Sequence, residues 1–216
     1  MMAKTYYPSV WLVKFCLLAF THFRVEGGGN VPKTGPLIVV SNHLSQADPP
    51  IIGAGIPRRI VFMAKEELFR SPLMALLVKG FGAFPVRKRE ADRDALRRAH
   101  EVLEKGLALG VFPEGTRSKT AVLQPGMLGA AFITLRTGAP VLPVGICGTE
   151  GLNAARLLRH PAITINIGEP FTMAPAQGRV TKQALQDLTA YIMERIAQLL
   201  PPSYQGVSDK GVVVGR

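Results

Sequence analysis

Residues 37–49 read Leu37-Ile38-Val39-Val40-Ser41-Asn42-His43-Leu44-Ser45-Gln46-Ala47-Asp48-Pro49. The first four form a short, continuous apolar run behind Gly35-Pro36. Such a run reads as a strand covered on both faces, as strands are in parallel sheets. Polar residues then take over at once. A histidine just past a buried strand stands at the carboxyl edge of its sheet, where α/β folds place their sites.

The same pattern repeats outward from this stretch. Apolar runs predict further strands over 59–63, 81–86, 109–112, 141–146 and 162–167. Ser71-Pro72 opens a helix, with Ser as N-cap and Pro in the first turn, and Gly80 ends it after Lys79. Residues 91–105 are helical, with Asp92 and Asp94 in the first turn and Lys105 in the last. Residues 126–137 and 181–200 are helical too, the second carrying Leu185, Leu188, Ile192, Ile196 and Leu199 at helical spacing. Short apolar strands alternating with helices predict an α/β sandwich with a mostly parallel central sheet flanked by helices. One domain over 26–200 follows, preceded by an apolar segment (1–25) and followed by a loose tail (201–216).

Composition narrows the class. The chain has 216 residues, 47% hydrophobic and 19% charged, which excludes a disordered chain and provides a core needing no staple. Its two cysteines, Cys16 and Cys147, build no disulfide framework. Lys+Arg 26 against Asp+Glu 15 gives +11, a balance that favours a polyanionic partner such as an anionic membrane, a phosphorylated substrate or nucleic acid. No nucleic-acid motif is present and aromatics are 7%, so the charge points to lipid and phosphate. The apolar run Val10 to Phe20 is about 11 residues, roughly 16 Å as a helix, against a bilayer core of about 30 Å. It does not span. Trp11 and Phe15 lie four apart and share a helical face. That face either packs on the domain or lies in a membrane interface, with Lys4, Lys14 and Arg24 toward the headgroups.

Phosphate-loop, dinucleotide and nucleophile-elbow patterns are absent, and His100-Glu101 is followed at 104 by Glu rather than the second histidine of a zinc helix. Four segments instead place polar groups at strand ends. Asp48 lies five residues after His43. On one continuous helix they would point about 140° apart. A turn across 44–47 brings them together, so that Asp48 holds the imidazole in one tautomer; Asp48 also reads as the cap of a helix beginning at Pro49, and one residue can do both. The segment Gly82-Ala83-Phe84-Pro85-Val86-Arg87-Lys88-Arg89 ends in three cations suited to a phosphate, or to a solvated charge run. In Phe112-Pro113-Glu114-Gly115-Thr116-Arg117-Ser118, Glu114 accepts from a substrate hydroxyl or orients Arg117, and Arg117 grips a phosphate; the alternative is a turn with a local ion pair. Val141-Leu142-Pro143-Val144-Gly145 has a proline inside a strand, which suggests a bulge or an edge.

Together these segments resemble the four blocks of the glycerolipid acyltransferases. N-H-L-S-Q-A-D is similar to the N-H-x-x-x-x-D motif, and G-A-F-P-V-R, F-P-E-G-T-R-S and V-L-P-V-G resemble the second, third and fourth blocks, in the family's order. Within the family the chain looks like the lysophosphatidate acyltransferase type. The resemblance implies His43 as general base and Asp48 as its orienting acid. It implies an acceptor-binding group of Arg87, Glu114, Gly115, Thr116 and Arg117. Lys65, in Ala64-Lys65-Glu66-Glu67-Leu68, resembles a family lysine near the reaction centre and is expected to stabilise an oxyanion. The implied partners are acyl-CoA or acyl carrier protein, lysophosphatidate and an anionic membrane surface at the cytoplasmic face, with no metal or cofactor. Two alternatives remain: another acceptor (glycerol 3-phosphate, a different lysophospholipid or an aminolipid) or a non-catalytic lipid-binding protein on the same fold.

Overall fold

The computed structural model describes residues 3–70, 75, 78, 80–86 and 93–206. Helix α1 (Ala3–Phe20) leads into β1 (His22–Glu26), β2 (Leu37–Ser41), α2 (Asp48–Gly55), β3 (Ile60–Lys65) and β4 (Phe84–Val86). There follow α3 (Arg93–Glu104), β5 (Ala108–Val111), α4 (Gly129–Thr137), β6 (Val141–Cys147) and α5 (Ala154–Leu157). Strand β7 (Ala162–Ile167) and helices α6 (Lys182–Ala197) and α7 (Pro202–Gln205) complete the described chain. The strands form one seven-stranded sheet in the order β1-β7-β6-β2-β5-β3-β4. From β6 to β4 all neighbours are parallel; β7 runs antiparallel to β6, with β1 parallel to it.

The buried apolar run is why β2 is central: all five of its residues are buried. Side chains alternate across a strand. Leu37 and Val39 therefore join the layer with Ile51 and Ile52 of α2 and Leu17 of α1. Ile38 and Val40 join the opposite layer, with Ala99 and Leu103 of α3, Ile133 of α4, and Leu188 and Ile192 of α6. The sheet is thus sandwiched, as its pattern of short apolar strands predicts.

Several boundaries differ from expectation, each for a physical reason. Strand β1 was not anticipated, because His22-Phe23-Arg24-Val25-Glu26 is a largely exposed edge strand without an apolar run. Its register runs from His22↔Ala162 to Glu26↔Asn166, so a boundary at 25/26 cuts a paired strand. The expected tail from 201 begins instead with α7. Pro143 lies in a central strand, not at an edge. Between the pairs Val144↔Ile167 and Val141↔Phe171 the return segment carries one extra residue, so the bulge reading holds. The helix expected over 71–79 lies outside the described residues, save Ala75 and Val78, which pack into the core.

Helix α1 carries large apolar residues on both its inner and outer faces and uses them differently. Tyr6 and Leu17 are buried, and Val10 and Val13 pack against the core. Tyr7, Trp11, Phe15 and Leu18 are on the other side, Trp11 at 75% exposure and Phe15 at 67%. The Tyr6 hydroxyl accepts from the Ile60 amide (3.0 Å) and donates to the Arg58 carbonyl (3.3 Å), which ties α1 to the start of β3. Tyr6→Phe should leave the buried Ile60 N–H unpaired and lower stability by about 1–3 kcal/mol. Chemical denaturation would read this as a lower midpoint; an unchanged midpoint would mean that α1 contributes nothing through this bond.

Candidate active site

Three parallel strands end side by side, and their exits supply the site. β2 delivers Asn42 and His43, β5 delivers Phe112 to Glu114, and β6 delivers Gly148 and Thr149. Buried Asn42 donates to the Ile146 carbonyl (2.9 Å) and accepts from the Ile146 amide (2.8 Å), fastening the exit of β2 to β6.

His43 and Asp48 meet. The Asp48 amide donates to the Ser45 carbonyl (3.2 Å), closing the turn that brings the side chains together. His43 Nδ1 then lies 2.8 Å from Asp48 Oδ2. The capping alternative is not realised: Ala47 is the N-cap of α2 and makes no side-chain cap bond. The Asp48 carboxylate, fully buried, turns back instead and accepts from the amides of Leu44 (2.6 Å) and Ser45 (2.7 Å) on Oδ2. Its Oδ1 accepts from the Thr149 hydroxyl at 2.6 Å. A carboxylate only accepts, so His43 carries its proton on Nδ1 and presents the Nε2 lone pair. The His43 side chain is 17% exposed, enough for a substrate to reach it. The ring lies on Phe112 at 4.1 Å between centroids and 19° between planes, and Phe112 in turn stacks on Phe62.

Glu114 is 4% exposed, and both its oxygens are committed: Oε1 accepts from the His43 amide (2.7 Å) and Oε2 from the Gln124 amide (3.0 Å). It sits as an anchor for the His43 backbone rather than as a free acceptor or a partner for Arg117. Gly115 turns with φ +63°, a left-handed backbone conformation that favours glycine. Thr116 and Arg117 are exposed, and no carboxylate among the described residues forms an ion pair with Arg117. The next residue, Ser118, donates its amide to the His43 carbonyl (2.7 Å), which holds the Arg117 loop against the histidine. Lys65 closes β3 on the same sheet edge, its side chain outside the described set, and Arg87 lies outside the described residues. Burial, then Glu150, push the Cys147 thiol up to about 11, which keeps it protonated near neutral pH.

Sequence reasoning missed Thr149, Phe112 and Gln124. The edge rule that singled out His43 also reaches Thr149, two residues past β6. Gln124 acts through its backbone, which carries no sequence signal.

Burial pushes Glu114 up from the ordinary 4.5 to about 7; the His43 and Gln124 amides oppose this, and Asp48 nearby adds to it. The folded protein therefore binds this proton more tightly than the unfolded chain. The stability due to Glu114 is fully present below about 4.5 and is lost as pH rises through about 7. Glu114→Gln removes the titration. Urea midpoints measured from pH 4 to 8 should fall less steeply across that window than those of the unaltered protein; parallel curves would refute the shift.

The chain resembles known proteins along the segment that carries this site. The Acyltransferase family profile matches residues 22–147. A 1-acyl-sn-glycerol-3-phosphate acyltransferase of Bacillus subtilis (strain 168) is 28% identical over 196 residues, covering 87% of this chain and 96% of that protein. A lyso-ornithine lipid O-acyltransferase of Pseudomonas aeruginosa is 34% identical over 139 residues, or 63% of this chain and 51% of that protein. The crystal structure of the 1-acyl-sn-glycerophosphate acyltransferase PlsC from Thermotoga maritima superposes with a TM-score of 0.66 at 28% identity, covering 88% of this chain and 77% of that one. The match spans the whole dyad-bearing sheet edge, from β1 to the end of β6, and on it the chain belongs to the acyltransferase family.

Proposed function

We propose that the chain moves a fatty acyl group from an acyl thioester, on coenzyme A or acyl carrier protein, to the free hydroxyl of 1-acyl-glycerol 3-phosphate, giving phosphatidic acid for phospholipid biosynthesis. The observation that carries this reading is the 2.8 Å contact between His43 Nδ1 and Asp48 Oδ2 inside the family-matched stretch. Nε2 takes the hydroxyl proton as the oxygen attacks the thioester carbonyl, and Asp48 stabilises the imidazolium that forms. The tetrahedral oxyanion is met by Lys65 at the end of β3. Collapse breaks the carbon–sulfur bond, and His43 returns the proton to the departing thiolate. Protons and acyl group pass between the two substrates and His43 alone, so the step calls for no metal or cofactor. Arg117, exposed beside the His43 loop, grips the acceptor phosphate together with Arg87, while Glu114, Gly115 and Thr116 shape the loop that presents it.

The likeness to a lyso-ornithine lipid acyltransferase favours a second reading, an aminolipid acceptor. That headgroup offers no phosphate, so Arg117 separates the two. Purified protein should be given acyl-CoA and acyl carrier protein donors against lysophosphatidate, glycerol 3-phosphate and a lyso-ornithine lipid, with products weighed by mass spectrometry. Phosphatidic acid is the expected product. His43→Ala should cut its formation about 10²- to 10⁴-fold, and Arg117→Ala should raise KM for lysophosphatidate more than for the donor. Product from the aminolipid alone, indifferent to Arg117, selects the second reading. Near-normal turnover by His43→Ala overturns the mechanism.

The enzyme works at the cytoplasmic face of an anionic membrane, peripherally or monotopically. No helix among the described residues is long and apolar enough to cross a bilayer. The outer face of α1 instead offers Trp11, Phe15 and Leu18 to the interface, and the net charge of +11 adds attraction to anionic headgroups. Because Tyr6 and Leu17 are buried in the core, deleting α1 would disturb the fold; the outer face is the place to test. Replacing Trp11, Phe15 and Leu18 by Ser should abolish flotation with anionic liposomes at high salt and leave part of it at low salt, where charge is unscreened. Unchanged flotation at high salt would remove α1 as the anchor.

A further inference from the structure

Two chains of contacts run from the C-terminal segment to opposite sides of His43, and both pass through Tyr204. On one side, the Tyr204 hydroxyl donates to Glu150 Oε1 (3.2 Å), which also receives Arg156 Nη2 (3.1 Å). Glu150 is joined through the backbone to Thr149, whose hydroxyl holds Asp48 Oδ1 at 2.6 Å. On the other side, the Tyr204 carbonyl accepts from the Leu123 amide (2.8 Å). Leu123 precedes Gln124, whose amide holds Glu114 Oε2, and Oε1 holds the His43 amide. One arm thus ends on the imidazole side of His43 and the other on its backbone.

Thr149 is the joint that matters most. It is fully buried, and its hydroxyl is spent on Asp48 Oδ1. Of the four donors around Asp48, three converge on Oδ2: His43 Nδ1 and two amides of its own turn. Among the described residues Thr149 alone donates to Oδ1, and it comes from a different strand exit. Without it, the carboxylate keeps its local bonds but loses the contact that fixes its plane against β6. Gly148, with φ +85° and a Cβ that would stand 2.0 Å from the Ala162 carbonyl oxygen, makes the turn that carries Thr149 back over the sheet edge.

We propose that Thr149 is a positioning residue for acyl transfer: its hydroxyl sets the Asp48 carboxylate against His43, and Tyr204 clamps the Thr149 turn from behind. The proposal rests on the His43–Asp48 reading above and names further residues for that site. Thr149→Val keeps the shape and removes the hydroxyl; Thr149→Ser keeps the donor. With lysophosphatidate and acyl-CoA, Thr149→Val should lower kcat about 10- to 100-fold, as a small misplacement at a reacting centre does. KM for both substrates should stay within about twofold, because neither is touched. Thr149→Ser should recover most of the loss. Tyr204→Phe, which removes one hydrogen bond farther out, should lower kcat by about 3- to 10-fold.

A second readout needs no turnover. In protein labelled with ¹⁵N-histidine, the proton on His43 Nδ1, assigned by its disappearance in His43→Ala, should shift or broaden in Thr149→Val and return in Thr149→Ser. If the chain uses other substrates, this signal still decides the proposal while the product panel decides the function. Wild-type kcat with an unmoved Nδ1 proton in folded Thr149→Val overturns it, as does a loss that Thr149→Ser fails to rescue. If Thr149→Val does not fold, Tyr204→Phe decides: an unchanged kcat and an unmoved signal refute the clamp and the joint together.

Discussion

The structure turns on one buried carboxylate. Asp48 has no exposure, and a charge in that position is tolerated only where hydrogen bonds replace the lost water. Two of its donors are amides of the turn it closes, one is the histidine that the turn presents, and one is a hydroxyl from another strand. Satisfying that charge therefore shapes the 44–47 turn, fixes the start of α2, selects the tautomer of His43 and pins the exit of β6. Oδ2 has three donors, whereas Oδ1 has the Thr149 hydroxyl alone among the described residues, so loss of that one hydroxyl leaves a buried oxygen short of a partner.

Glu114 repeats this arrangement on the other side of His43. It too is buried, and it too spends its oxygens on backbone amides. The histidine is thus held by a carboxylate at its ring and a second at its main chain, with Phe112 beneath the ring. The cation closest in sequence, Arg117, stays outside this framework, exposed and free to meet a ligand. The separation has a physical logic. On the proposed mechanism, the groups that would orient the base are buried, where a fixed dipole costs no rearrangement during reaction. A group proposed to meet a charged headgroup is one that stays in water until it binds.

Helix α1 links the site to its surroundings. Its inner face packs against α2, whose first residue is Asp48, and its outer face shows large apolar side chains to solvent. A helix apolar on both faces fits a protein that meets lipid on one side and its own core on the other. The site that would act on a lipid hydroxyl is thereby carried on the same layer as the surface suited to reach lipid.

The sequence by itself determined the sandwich and the dyad. Unbroken apolar runs such as Leu37–Val40 have no polar face to offer water, so they must be covered on both sides, and β7 is found over the residues its run predicts. His43 and Asp48 were legible as a pair because a local turn over five residues can bring their side chains together, and the family resemblance chose that reading over the cap. Strand β1 was not legible, because an exposed edge strand is held by pairing with β7 rather than by burying its own residues. Nor was the work of Glu114, which looked like a ligand-facing acid until the fold closed two amides over it. Thr149 lies 101 residues from Asp48, and the parallel pairing of β6 with β2 brings the two together, while Tyr204 meets the site only through Glu150 and Leu123. Contacts of that range depend on strand order and register, which emerge when the whole sheet assembles and are written in no single segment.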